Sequence, residues 1–184
     1  MVSLVDLWLP ILLSAVFVFV ASSIIHMALR WHSSDFKKLT AEDAVMDALR
    51  PFNLAPADYV APLPESMAHM SSAEFKAKQA RGPLFALTIM RSDNSIGRNL
   101  GKWFVYSLVI AVFAAYVASL SLPAGAPYMT VFRVTSTVAF AGYALALWQN
   151  WIWYSRSLGY TVRTTIDGLV YALLTGGAFG GLWP

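Results

Sequence analysis

The sequence predicts an all-α integral membrane protein: four transmembrane helices, with a mostly helical or irregular cytoplasmic insertion between the first and second. Three observations lead there. Of 184 residues, 58% are hydrophobic and 12% charged, where a soluble domain carries about a quarter charged residues. Four runs of about 20 apolar residues match the length that crosses roughly 30 Å of hydrocarbon. Lys and Arg are concentrated in the segments between alternate runs, as they are in loops that stay inside a cell.

The first run, LWLPILLSAVFVFVASSIIHMAL, covers residues 7–29. Pro10 sits in its opening turn, where the missing N–H removes no helical bond. The preceding stretch holds Asp6 and no Lys or Arg, and the run exceeds the 7–15 residues or so of a signal-peptide core. It is therefore expected to be an uncleaved span, with residues 1–29 forming the first transmembrane unit.

Residues 30–102 form the polar insertion, with ten basic and eight acidic side chains. Thr40-Ala-Glu-Asp reads as the cap of a short helix with Val45, Met46 and Leu49 on one side, stopped by Pro51. Ser71-Ser-Ala-Glu74 reads as a capping box for a second helix, ended by Gly82-Pro83. Between them the proline-rich 53–66 should be extended. LFALTIM at 84–90 reads either as a strand, with Tyr59–Pro62 its candidate partner, or as a segment on the membrane surface; periodicity does not decide between them.

The remaining three spans lie in 103–184, at about 103–122, 129–148 and 165–183. The second and third form a hairpin through the uncharged turn PAGAPY. Ten of the 13 Lys and Arg fall in 30–102, and Arg156 and Arg163 fall between spans three and four. By the positive-inside rule both termini face the periplasm, and 30–102 and 149–164 face the cytoplasm. Tryptophan agrees, since its ring favours headgroup depth: Trp8 and Trp183 fall at the outer boundary, and Trp31, Trp103, Trp148, Trp151 and Trp153 at the inner one.

Cysteine is absent, which excludes disulfides, thiolate metal sites and cysteine nucleophiles. The net charge of +3 is assigned to the inner membrane face rather than to nucleic acid. Among the three histidines, His69 is flanked by Met67 and Met70, a pattern that could hold copper. His26 and His32, with Met27, form a second His/Met group. Six residues separate the two histidines, about 240° around a helix, so they cannot share an ion unless the helix breaks between them. Spans two to four contain no His, which excludes an intrachain bis-histidine haem. No metal or cofactor site is therefore assigned, with His69, Met67 and Met70 the weak candidates.

Arg133 and Asp167 are the ionisable residues of the later spans, and such residues are functional candidates by default. Arg133 lies near the outer end, with Asp6 as its expected ion-pair partner. Asp167 is placed in the first turn of the fourth span, favoured by the helix dipole, with Arg163 or His26 as partner. Gly168, Ala172, Gly176 and Gly180 recur every four residues, a stripe that permits close helix approach; Ala111 and Ala115 begin a similar stripe in span two. With four spans, both stripes are not easily used up within one chain. Serine-hydrolase, zinc-protease, P-loop and dinucleotide motifs are absent.

HMALRWHSSDFKKL, GKWFVYSLVIAVFAAYVA, VFRVTSTVAFAGYAL and DGLVYALLTGGAFGGLWP together resemble a family of small, uncharacterised bacterial inner-membrane proteins. The resemblance implies a bacterial source and a multi-span fold, and it brings no activity, cofactor or site residue. The expected role is non-catalytic: an accessory, assembly or scaffold component in the lipid bilayer, with other membrane proteins or further copies of itself as partners and no nucleic acid. A small oligomeric transporter or channel is the second expectation, and copper handling through the Met and His residues the third.

Overall fold

The computed structural model describes residues 2–184, and they form a predominantly helical chain in two compact units. One unit runs to Lys37 and resumes at Ile96–Pro184; the other is Lys38–Ser95.

The larger unit is a bundle of four long helices. α1, Trp8–Ser23, opens with Pro10 in its first turn and continues into a π-helical turn, Ile24–Ala28. The chain then breaks: Leu29 is extended, at φ −88° and ψ 140°, and Arg30–His32 form a single 3-10 turn. Later in the chain, α5 spans Ile96–Ser121 and α6 spans Tyr128–Tyr143. α6 breaks at Ala144, and a 3-10 turn, Leu145–Leu147, leads into the short α7, Trp148–Tyr154. α8 runs from Leu158 to Gly181, its N-terminus capped by Ser157, whose Oγ accepts the Tyr160 N–H at 3.1 Å.

Three segments, Trp8–Ala28, Ile96–Ser121 and Tyr128–Tyr154, are long and apolar enough to cross a membrane. α8, at 24 residues, has the length but is richer in Gly and Thr. Its surroundings explain that composition, because it packs against both α1 and α6 and buries Gly168, Ala172, Thr175 and Gly176 among its neighbours. Its other face still carries exposed large apolar side chains, among them Ile166, Leu169 and Leu173.

The rest of the bundle is built the same way. Small and hydroxylic residues fill its interior, among them Ser14, Ala15, Ser107, Ala114, Ala118, Thr135 and Ala139. Large apolar ones, such as Val20, Val105, Phe113 and Leu120, point outward. Lipid tails are as apolar as leucine, so membrane helices gain by close packing of small residues rather than by hiding large ones. Val2 and Leu7 pack with Ala115, Val131 and Phe179 at one end. There Trp183 donates its Nε1–H to the Pro123 carbonyl at 2.9 Å, and the N–H of Gly125, at φ +73°, reaches the Pro184 carbonyl at 2.6 Å. The N-terminal segment, the 122–127 turn and the end of α8 thus share one end of the bundle.

The smaller unit contains α2, Glu42–Leu49, followed by the antiparallel pair β1, Asp58–Ala61, and β2, Phe85–Thr88. Their register pairs Asp58 with Thr88 and Ala61 with Phe85, and Thr88 Oγ1 donates to Asp58 at 2.7 Å. Of the two expectations for 84–90, the strand is the one the structure adopts. Between the strands lie α3, Met67–Ser71, and α4, Ala73–Arg81. Ser72, not Ser71, caps α4 by accepting the Phe75 N–H. Ser66 caps α3 in the same way, a helix the sequence reading did not separate from its extended surroundings. Thr40 makes no cap bond, since α2 starts after Ala41.

Candidate functional site

At the end of the bundle away from the 122–127 turn, the break after α1 folds the chain back on itself. The π turn and the extended Leu29 bring the rings of His26 and His32 to 4.4 Å, a pairing excluded for an unbroken helix. His32 bonds through both ring nitrogens. Nδ1 lies 2.5 Å from Oδ2 of Asp35, and Nε2 lies 2.7 Å from Oδ2 of Asp167. Asp35 in turn accepts from Arg163, at 2.8 Å from Nε and more closely from Nη2. The result is a continuous chain, Arg163 to Asp35 to His32 to Asp167, spanning the post-α1 segment and α8.

This arrangement differs from the expected interfacial pairs. Asp167 was placed in the first turn of its span. With α8 starting at Leu158, it lies nine residues inside the helix and is 4% exposed. The correction follows from Ser157, a Ser N-cap that starts the helix before the apolar run begins. Arg163, one turn earlier, reaches Asp35 instead of Asp167, and His26 stacks on His32 rather than pairing with Asp167. Asp6 and Arg133 form no ion pair among the described residues; the Asp6 N–H is tied to the Ser3 carbonyl in the turn that precedes α1.

Burial by itself would raise the Asp35 carboxyl, but hydrogen bonds from His32 and Arg163 outweigh it and hold the group below the usual carboxylate range. Bookkeeping of protons at His32 is informative. Ionised carboxylates only accept, so both contacts are hydrogen bonds together only if the ring carries two protons or if Asp167 supplies one. With one proton on Nδ1, held by Asp35, the Nε2 lone pair faces Asp167 with nothing between them.

His26 and Asp167 lie on the wall of a cavity of about 450 Å³ between the ends of the helices. Trp103 and Tyr106 of α5, Tyr143 of α6 and Tyr171 of α8 form an aromatic cluster along it, with ring centroids 5.5–6.0 Å apart. Most of their polar tips are satisfied inside the protein: Trp103 donates to Ser22 Oγ at 2.8 Å and Tyr106 to the Gly142 carbonyl at 2.8 Å. Tyr171 is different. Its side chain is 3% exposed and its hydroxyl has no hydrogen-bond partner, although buried hydroxyls nearly always find one. The Ser and Thr hydroxyls of the cavity are bonded to their own helices, Ser22 and Ser23 to the Phe19 carbonyl and Thr164 to Tyr160.

The other residues singled out in the sequence lie elsewhere. In the smaller unit, His69 Nδ1 accepts the Glu65 N–H at 3.2 Å and its ring packs on Phe75 at 5.2 Å. Met67 is 77% exposed and Met70 44%. The small-residue stripes are spent inside the bundle. Gly168 faces Ala144, Gly176 faces Phe132 and Ser136, and Gly180 faces Tyr128; Ala111, Ala115 and Ala172 are each at most 1% exposed. The second glycine register of α8 is open, Gly181 meeting nothing within 4 Å and Gly177 only the Tyr128 hydroxyl at 3.9 Å.

Three participants were missed from sequence: His32 as the centre of the cluster, Asp35 as its anchor and Tyr171 as an unpartnered donor. The spacing His32-Ser-Ser-Asp35, i to i+3, is the one local signal that could have joined two of them. Comparison of the chain with protein families, with curated proteins and with solved structures finds no match.

Proposed function

We propose that the chain is a four-span bacterial inner-membrane protein whose task is to bind a small amphipathic molecule in this cavity, without catalysis. The observation that carries the reading is the cavity of about 450 Å³, walled by Trp103, Tyr106, Tyr143 and Tyr171 with His26 and Asp167 beside them. Aromatic walls with a few polar groups at one end suit a molecule with an apolar body and a polar head.

A non-catalytic reading is supported by the Ser22, Ser23 and Thr164 hydroxyls, which are bonded back to helix carbonyls rather than to a base. A channel through one chain is disfavoured by the apolar layer of Leu7, Ala115, Val131 and Phe179 at the opposite end. An accessory or scaffold role draws no support from the stripes that begin at Gly168 and Ala111, which are already occupied. The partners of this reading are the bilayer and the ligand.

In this proposal α8 is the fourth span, both termini are periplasmic, and 30–102 and 149–164 are cytoplasmic. Because the chain has no Cys, single-cysteine variants report orientation cleanly: Ser3→Cys should label from outside intact cells and Ser155→Cys only after permeabilisation. For the ligand, the protein is extracted into native lipid particles and examined by mass spectrometry. One amphiphile per chain, enriched over bulk lipid and lost when Ser23→Trp fills the cavity, is expected. A lipid content indistinguishable between wild type and Ser23→Trp would refute the reading.

A further inference from the structure

We propose that His26, His32 and Asp167 bind one divalent first-row transition-metal ion at the cavity wall, a site distinct from the Met67–His69–Met70 group. It goes beyond amphiphile binding and stands on its own geometry. One ligand atom from each of the three side chains lies within 4.8 Å of the other two. Two imidazoles and one carboxylate are the donor set of zinc and its neighbours, and three protein ligands leave a coordination position open.

The second argument lies behind His32. Metal-binding histidines commonly donate their other ring N–H to a carboxylate, which fixes the tautomer and aims the free lone pair at the ion. Here Asp35 holds Nδ1 at 2.5 Å, and Asp35 is itself held by Arg163. A proton kept on Nδ1 leaves Nε2 and Asp167 Oδ2 as two lone-pair donors facing each other at 2.7 Å. A second ring proton or a cation between them removes that conflict, so metal and proton compete for the same place. Metal–ligand bonds of about 2.0–2.2 Å set ligand atoms roughly 3.3 Å apart in a tetrahedron, so loading widens this contact by about half an ångström and draws in the ligand atoms that now lie up to 4.8 Å apart.

The third argument is charge. Asp167 is 4% exposed, and the nearby guanidinium of Arg163 is committed to Asp35. The cation facing Asp167 is then either a protonated His32, 2.7 Å away, or an ion held between the two, since a buried carboxylate is retained when it is paired or coordinates a metal. His26 is exposed and gives the ion a way in, and both His26 and Asp167 line the cavity.

The test uses full-length protein purified through a histidine-free tag, stripped with a chelator and titrated with Co²⁺, whose visible absorption reports nitrogen and oxygen ligation. One Co²⁺ per chain, displaced by Zn²⁺, is expected. His32→Ala and Asp167→Ala should each weaken binding at least 100-fold. Asp35→Asn, which leaves all three ligands in place, should weaken it about 10–100-fold with stoichiometry retained, and His69→Ala should leave it unchanged. Wild-type protein that binds no Co²⁺ overturns the proposal whether or not the variants fold. So does binding that survives both ligand substitutions, or that is lost with His69→Ala. Amphiphile content measured on the same samples separates the two readings: metal without amphiphile removes the cavity reading alone, and amphiphile without metal removes this one alone.

Discussion

Gly176→Ala tests the packing that holds α8 in the bundle. An added Cβ would stand 2.9 Å from both Phe132 Cδ2 and Ser136 Cβ and 3.0 Å from the Phe132 carbonyl oxygen, where relaxed carbon contacts lie at about 3.5–4.0 Å. The phenyl ring can swing, but the carbonyl and the Ser136 Cβ belong to α6 and move only with that helix. Overpacking of this kind costs about 1–3 kcal/mol, and the better helix propensity of Ala returns about 0.8–1.0 kcal/mol. The net expectation is a loss of about 0–2 kcal/mol, up to roughly a 30-fold fall in the folded-to-unfolded ratio, and a deficit of about 1–3 kcal/mol against a glycine-to-alanine exchange that meets no neighbour. Gly181→Ala is the matched control, since its Cβ would meet nothing within 4 Å, and it should be neutral or slightly stabilising. Both proteins are unfolded by SDS titration from the same mild detergent, followed by tryptophan fluorescence, so that detergent effects cancel in the difference. If Gly176→Ala proves as stable as Gly181→Ala, the α6–α8 contact is looser than described and the explanation of α8's glycine content falls.

Tyr171→Phe should leave the protein unchanged or up to about 1 kcal/mol more stable. A clear loss of stability in the same SDS assay would mean the hydroxyl already has a partner inside the protein. Ser22→Ala removes the acceptor of the Trp103 indole bond and should cost about 1–2 kcal/mol, with a shift in Trp emission as its signature; an unmoved spectrum would count against that bond. Arg163→Gln strips the partly buried Asp35 of its guanidinium and should cost about 2 kcal/mol or more. Arg133→Gln, with no ion pair among the described residues, should stay within about 0.5 kcal/mol. Equal melting of these two variants would show that the Arg163 pair contributes nothing.

Three of the four apolar runs were legible as helices long and apolar enough to cross a membrane, because hydropathy needs only run length. Residues 7–29 and 103–122 coincide closely with Trp8–Ala28 and with the apolar part of Ile96–Ser121. What was not legible depends on where helices bend and begin. Between Ile24 and His32 there is no Gly or Pro to mark the break that joins the two histidines. The rule that six residues is the wrong spacing was sound for an intact helix and inapplicable here. The start of α8 was hidden because Leu158–Thr165 mixes Gly, Thr and Arg, which reads as loop to a hydropathy scan, although the Ser157 cap was present. The strand pair was legible in outline because 84–90 and the Tyr59 stretch were the apolar segments flanked by turn residues. The cavity was not, since it is assembled from four separated stretches and no local pattern contains it.

The π turn at Ile24–Ala28 decides where this segment can lose a residue. A π turn holds one residue more than an α turn, so deleting any one residue there would restore a regular helix with its hydropathy nearly intact. In the regular part of α1, by contrast, a deletion would rotate everything beyond by about 100°, carrying the His32 ring off Asp167 and opening the chain that ends at Arg163. A one-residue deletion should therefore be far more disruptive within Trp8–Ser23 than within Ile24–Ala28, where one residue is spare and its loss leaves the following segment nearly in phase.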